Sequence, residues 1–161
     1  MRTQPNKNYK SNDRVMTPRY LAKAIVEHFE PSGKILEPCC GTGNFLKYMK
    51  AEWCEISLGK DFFNYRKRVD WIITNPPWSK VRNFLQQSMK IADNIVFLIT
   101  INHLWTKARL RDMKEAGFGI KEICMIPEKT PDFPQTGFRC GACHIKRGYK
   151  GDIKLSELSL H

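Results

Sequence analysis

Apolar residues fall into two alternating rhythms along this chain. Between residues 17 and 29, Leu21, Ala24, Ile25, His28 and Phe29 recur at helical spacing and stop before Pro31. Thr17-Pro18 opens that helix, since Thr suits the cap and Pro the first helical position. Residues 34–37 read as a short strand ending at Pro38, residues 39–43 as a tight turn and residues 44–50 as a helix. A second strand is expected over 52–56, a loop over 57–61 and a third strand over 69–74. Residues 79–93 form an amphipathic helix with Val81, Phe84, Leu85, Met89 and Ile91 toward the core. Residues 94–100 (NIVFLIT) are a continuous apolar run, as in a parallel strand covered on both faces. A helix over 103–116 closes at Gly117, and two last strands, 120–126 and 139–146, flank a Pro-rich loop.

Strands alternating with helices predict a doubly wound, mostly parallel α/β sheet with an antiparallel pair at its end. The expected organisation is one domain over 15–150, with 1–14 a flexible basic tail and 151–161 a C-terminal tail.

Charge changes the picture more than composition does. The 161 residues carry 27 Lys and Arg against 16 Asp and Glu, a formal net charge of +11. Such an excess points to a polyanionic partner, although a membrane surface and a nucleic acid attract it alike. No apolar run reaches the roughly 18 residues of a membrane span, and the basic N-terminus lacks the apolar segment of a secretory signal. A cytoplasmic protein with reduced thiols at its six cysteines is expected. Cys140-Gly-Ala-Cys143-His144 matches a haem-attachment pattern. On a strand, however, Cys140 and Cys143 would face opposite sides of the sheet. No metal or haem site is therefore expected there.

Chemistry concentrates at strand ends. In an open α/β sheet, ligands bind beyond the carboxyl ends of the strands. Glu37-Pro-Cys-Cys-Gly-Thr-Gly, the stretch from Glu55 to Asp61, and Asn75-Pro76-Pro77-Trp78 all lie at such ends, so they should converge on one crevice. Gly41 and Gly43 permit close backbone approach to a ligand. Glu55 is placed to accept from a ribose diol, and Asp61, followed by Phe62, to accept from an adenine amino group. The spacing of the glycines alone would equally suit a plain strand-to-helix turn.

Residues 14–46 followed by the NPPW tetrad resemble the N6-adenine DNA methyltransferases of the amino-methyltransferase class. Their order, with the Thr-Pro helix before the glycine turn and that before NPPW, is similar to the gamma group. The resemblance covers residues 14–105. It implies the class I S-adenosylmethionine-dependent methyltransferase fold, with S-adenosyl-L-methionine across the strand ends. Thr17 and Glu37 would hold its methionine end, and the backbone from Pro38 and Cys39 through Gly41 to Gly43 would pass close. Glu55 would take the ribose, and Asp61 and Phe62 the adenine. Asn75, Pro76 and Trp78 would receive the target base, with Pro76 and Pro77 stiffening the backbone so that a carbonyl is pre-aimed.

Two departures from the family pattern bear on this expectation. Relatives place a helix and a further strand between the ribose acid and the adenine acid, where this chain has only residues 56–60. Either that unit is deleted or one acid is misassigned, Glu52 being the other candidate. The chain also has no room for a target-recognition domain, so sequence reading is minimal, absent, or supplied by a protein partner or a second copy. Arg66, Lys67, Arg68, Lys80, Arg82, Arg139, Lys146 and Arg147 are expected on the nucleic-acid side. Phe133 or Phe138 is expected either to stack on the target base or to pack the loop. RNA adenine, a protein glutamine amide, and a non-catalytic binding module are the alternative readings.

Overall fold

The computed structural model describes residues 15–133 and 137–160; the tail expected over 1–14 lies outside them. Three helices flank seven strands among these residues: α1 (Arg19–Phe29), α2 (Val81–Ile91) and α3 (Lys107–Ala116). The strands are β1 (Ile35–Glu37), β2 (Glu52–Trp53), β3 (Val69–Thr74), β4 (Ala92–Thr100), β5 (Phe118–Met125), β6 (Cys140–Arg147) and β7 (Lys154–Glu157). They form one sheet in the order β2-β1-β3-β4-β6-β5-β7. β6 runs antiparallel to both β4 and β5, and the other pairings are parallel. The doubly wound, mostly parallel sheet with its antiparallel pair is therefore the observed architecture.

Alternation along β4 shows why the sheet needs cover on both sides. Ile95, Phe97 and Ile99 belong to one buried cluster, with Phe84, Leu85 and Met89 of α2 and Met113 of α3. Val96 and Leu98 belong to the other, with Leu21 and Ile25 of α1. Successive side chains of a strand point to opposite faces, so one apolar run serves two cores. Truncating a ring such as Phe97, which is fully buried, would cost about 3–5 kcal/mol. Cys140 lies in one cluster and Cys143 in the other, on opposite faces as the strand spacing predicts.

Several local expectations are corrected. The helix cap at α1 is Pro18, not Thr17, whose side chain makes no cap bond. Residues 44–50 give only a 3-10 turn at Phe45–Lys47, closed at Tyr48, whose φ is −119° and whose N–H donates to Phe45 carbonyl. The helix expected from residue 103 starts at Lys107, where Thr106 accepts from Arg109 N–H; before it the chain makes a 3-10 turn at Ile101–Leu104. The C-terminal tail expected over 151–161 contains β7, paired with β5 through Ile123↔Leu155 and Cys124↔Ser156, and Leu158 is buried. Its few apolar residues give too short a pattern to read as a strand.

The crossovers reverse direction at β1. The chain passes from β1 outward to β2, then returns to β3 on the other side and continues to β4. This is a topological switch point, where the loops part and leave a crevice at the carboxyl ends. Between β2 and β3 the described chain has only 3-10 turns, at Ile56–Leu58 and Phe62–Asn64. The shortened connection expected there is what the structure has. No helix among the described residues is long and apolar enough to cross a membrane.

Candidate active site

A cavity of about 470 Å³ opens at the switch point. Its wall takes Thr17 from the segment before α1, Glu37, Pro38, Cys39 and Gly41 from the turn after β1, and Glu55, Asp61 and Phe62 from the β2–β3 connection. Asn75 and Pro77 close it from the end of β3. The three strand-end motifs thus share one space. Gly43, Pro76 and Trp78 do not line it; Gly43 shapes the turn, Pro76 is buried, and Trp78 sits beside the cavity against both cores.

Glu37 sits at the floor with its side chain buried. Thr74 Oγ1 donates to its Oε1, and Cys39 N–H donates to the same oxygen at 3.1 Å. Burial pushes its carboxyl up to about 8, against the lowering effect of those two bonds. An opposite charge placed against a buried carboxyl in this condition would return it to the ionised form.

Glu55 plays a structural part that its sequence position did not reveal. Its Oε2 accepts Gly41 N–H at 2.8 Å, and its Oε1 accepts Ser57 Oγ–H at 2.9 Å. Burial raises its pKa, but the hydrogen bonds from Gly41 and Ser57 outweigh it, and the carboxyl lies below the ordinary range. It pins the glycine turn to the next loop while still bordering the cavity. Asp61 caps the following turn by accepting Phe63 N–H at 2.9 Å. Glu52, the other acid considered, bonds Tyr65 and Lys67 instead and is absent from the cavity wall.

Gly41 shows why that turn requires glycine. Its φ is +52°, a region L side chains rarely adopt, and an added Cβ would lie 2.6 Å from Met16 Sδ. Thr17 does not cap α1 because it faces the cavity: its Oγ1 accepts from Asn75 Nδ2 at 3.2 Å. Asn44 Nδ2 donates to Thr17 carbonyl at 2.8 Å. These two bonds bring the segment before α1, the glycine turn and the end of β3 into register.

Asn75 is held from several directions. Besides Thr17, its Nδ2 reaches Val15 carbonyl at 3.4 Å. Its Oδ1 accepts the Trp78 indole N–H at 3.2 Å, and that N–H also lies 3.3 Å from Leu98 carbonyl. The Phe133 ring meets Trp78 edge-on at 6.4 Å between centroids and is itself buried. Phe133 is therefore packed beneath the loop, whereas Phe138 is 61% exposed.

Phe63 and Asn44 are two of the cavity residues that escaped the sequence reading. Phe63 is half-buried and lies edge-on to Phe84, 5.3 Å between centroids, while Phe62 is almost fully buried. Adjacent phenylalanines carry no signal telling which ring faces a ligand. Asn44 is the second; nothing in its local spacing announces a contact with residue 17.

The expected basic face is corrected in part. Lys146 pairs in register with Asn94 and Arg147 with Phe118, near the first residues of β4 and β5. Because β6 is antiparallel, its end lies at the amino ends of the other strands, across the sheet from the cavity. Arg68 and Arg147 both bond Asp93 there, and Lys67 bonds Glu52. Arg66 is turned onto the carbonyls of Phe63 and Tyr65. At the cavity end, Lys80 lines the rim, Arg139 immediately precedes β6, and Arg82 at the start of α2 is paired with Asp112.

No family profile and no curated protein matches the chain. Solved structures do. A Listeria monocytogenes protein assigned to the class I S-adenosylmethionine-dependent methyltransferases superposes with TM-score 0.67 at 17% identity, over 96% of this chain and 69% of that one. The M protein of the type I restriction enzyme EcoKI gives TM-score 0.61 at 13% identity, over 83% of this chain and 44% of its own length. The 23S rRNA methyltransferase ErmE gives TM-score 0.60 at 13% identity, over 84% and 72%. The chain spans less than half the length of the restriction-enzyme subunit. Its fold is that of class I S-adenosylmethionine-dependent methyltransferases.

Proposed function

We propose that the chain is an S-adenosylmethionine-dependent methyltransferase acting on the N6 amino group of adenine in DNA. The target base would be turned out of the duplex toward Asn75-Pro76-Pro77-Trp78. One observation carries this reading: Asn75, Glu37 and the glycine turn wall a single cavity. About 470 Å³ falls within the usual range for a small-molecule site, roughly 300–1,000 Å³.

The residues present fit the cofactor. The buried Glu37 carboxyl, with Thr17 beside the cavity, suits a cationic amino-acid end. Gly41 leaves the backbone bare where a ligand must pass closely. Glu55 retains lone pairs for a diol because a carboxylate offers about four acceptor sites. Asp61 borders the cavity, with Phe62 and Phe63 supplying apolar surface for a base. When bound, S-adenosylmethionine supplies a methyl carbon activated by a sulfonium.

The amino group of adenine is a weak nucleophile because its lone pair is delocalised into the ring. Two acceptors at its N–H bonds would favour a tetrahedral nitrogen and return the lone pair to it: the Asn75 side-chain oxygen on the cavity wall, and the carbonyl of Pro76, which adjoins Asn75 but is itself buried off that wall. With the methyl donor bound, Asn75 and Pro76 would hold that nitrogen toward the donor, and the amino proton made surplus by methylation would leave to solvent. Fixed dipoles stabilise the transition state, and holding both reactants removes the cost of their encounter. Trp78 supplies an aromatic face beside the acceptors. Stacking of this kind is worth about 1–3 kcal/mol per base, against the few kcal/mol needed to extrude one.

A second reading keeps the mechanism and exchanges DNA for RNA. The 23S rRNA methyltransferase ErmE, comparable in fold and coverage, supports it. Methyl transfer from labelled cofactor to single- and double-stranded DNA and RNA, followed by mapping of the modified base, tests both. N6-methyladenine in DNA supports the leading reading, and modification of RNA alone replaces it with the second. Folded protein that binds the cofactor but methylates no nucleic acid overturns both.

A further inference from the structure

Away from the cavity, at the far end of α1, three side chains of different chemistry converge. His28 lies in the last turn of α1, and Glu122 and Cys124 stand two residues apart on one face of β5. His28 Nε2 and Glu122 Oε1 are 2.7 Å apart, and the three donor atoms lie within 4.8 Å of one another. We propose that His28, Glu122 and Cys124 form a binding site for a zinc-class divalent cation that clamps α1 to the sheet.

The donor set selects the ion. Sulfur, imidazole nitrogen and carboxylate oxygen together suit zinc or cobalt, whereas magnesium and calcium prefer oxygen alone. Zinc bonds of about 2.3 Å to sulfur and 2.0–2.2 Å to nitrogen and oxygen place tetrahedral ligands roughly 3.3–3.6 Å apart. The present spread closes onto that geometry with side-chain shifts of about an ångström. Ser156 of β7, in register with Cys124, has its Oγ 2.6 Å from Glu122 Oε1, so it or a water is placed to complete four ligands.

The surroundings offer a way in and a competitor. Cys124 is fully buried and Glu122 nearly so, but the His28 side chain is a quarter exposed and marks the entrance. Lys154 Nζ lies 3.7 Å from Glu122 Oε1 on a side chain that is two-thirds exposed, free to swing into water as a cation enters. Because α1 starts beside Thr17, the clamp would steady the helix whose other end borders the cavity.

Cobalt titration of the full-length protein tests this without reference to methyl transfer. One equivalent of cobalt should give a thiolate-to-metal absorption band that zinc displaces. Cys124→Ser should abolish the band, His28→Gln should weaken binding about tenfold or more, and Cys140→Ser should change neither. Circular dichroism checks that each variant is folded. His28→Gln, at a partly exposed position, decides the matter if Cys124→Ser does not fold. No band in folded wild-type protein, a band that survives Cys124→Ser, or undiminished affinity in His28→Gln overturns the site.

Discussion

The Trp78 indole N–H donates to the Asn75 side-chain oxygen across 3.2 Å. The aromatic residue of the tetrad therefore orients the amide from within the same turn, three residues on. An amide oxygen accepts two hydrogen bonds, so this bond fixes the direction of Oδ1 and leaves capacity for a second donor. Trp78→Phe should keep an aromatic face and lose the orienting bond, lowering turnover modestly. Trp78→Ala should lose both and cut turnover further. Steady-state methyl transfer with the two variants checks the order, and equal activity in wild type and Trp78→Ala would remove the ring from the chemistry.

Asn75→Ala should leave cofactor affinity almost unchanged while turnover falls about 10²–10³-fold, the cost typical of deleting one preorganised polar group that stabilises a transition state. Calorimetric titration with the cofactor, beside rate measurements, separates the two effects.

Glu37 predicts a pH dependence whose sign follows from its burial. Its folded pKa, about 8, is raised above its unfolded value. Stability from the protonated carboxyl is then fully present below the unfolded pKa and declines as pH rises toward about 8. Denaturation midpoints should fall across that window in wild type and flatten in Glu37→Gln. Affinity for a cationic ligand should rise over the same window, since the carboxylate is the form that pairs with it, and this rise should vanish in Glu37→Gln.

Gly41→Ala should weaken cofactor binding and cost about 1–2 kcal/mol of stability, from the left-handed backbone and the contact with Met16 Sδ. Thermal unfolding and cofactor titration measure both. Gly117→Ala, at φ +76° with nothing near its added Cβ, should show a stability loss without the binding defect.

Nucleic-acid affinity should fall steeply with salt through counterion release. Lys80→Ala, at the cavity rim, should reduce both affinity and salt slope. Lys146→Ala, at the opposite end of the sheet, should leave both nearly unchanged. Fluorescence anisotropy across a salt series reads the two slopes, and a larger effect from Lys146 would move the binding face to the other end.

Local pattern alone determined more of the framework than of the site. The run at 94–100 announced a strand buried on both faces because positions 95–99 are all apolar, and β3 fell on residues 69–74 as its β-favouring sequence predicts. The glycine turn and NPPW lay at strand ends, and the carboxyl-end rule for parallel sheets was enough to place them together. Tertiary structure decided the rest. Thr17 left its capping role for Asn75, 58 residues away, and Glu55 became the anchor of Gly41. The antiparallel turn of β6 carried Lys146 and Arg147 away from the cavity. His28 met Cys124, a neighbour that no spacing along the chain encodes. Periodicity follows from which side of an element must leave water, and that is written locally. A hydrogen-bond partner or a metal ligand depends on how separate elements dock, which becomes defined only when the whole sheet has closed over both cores.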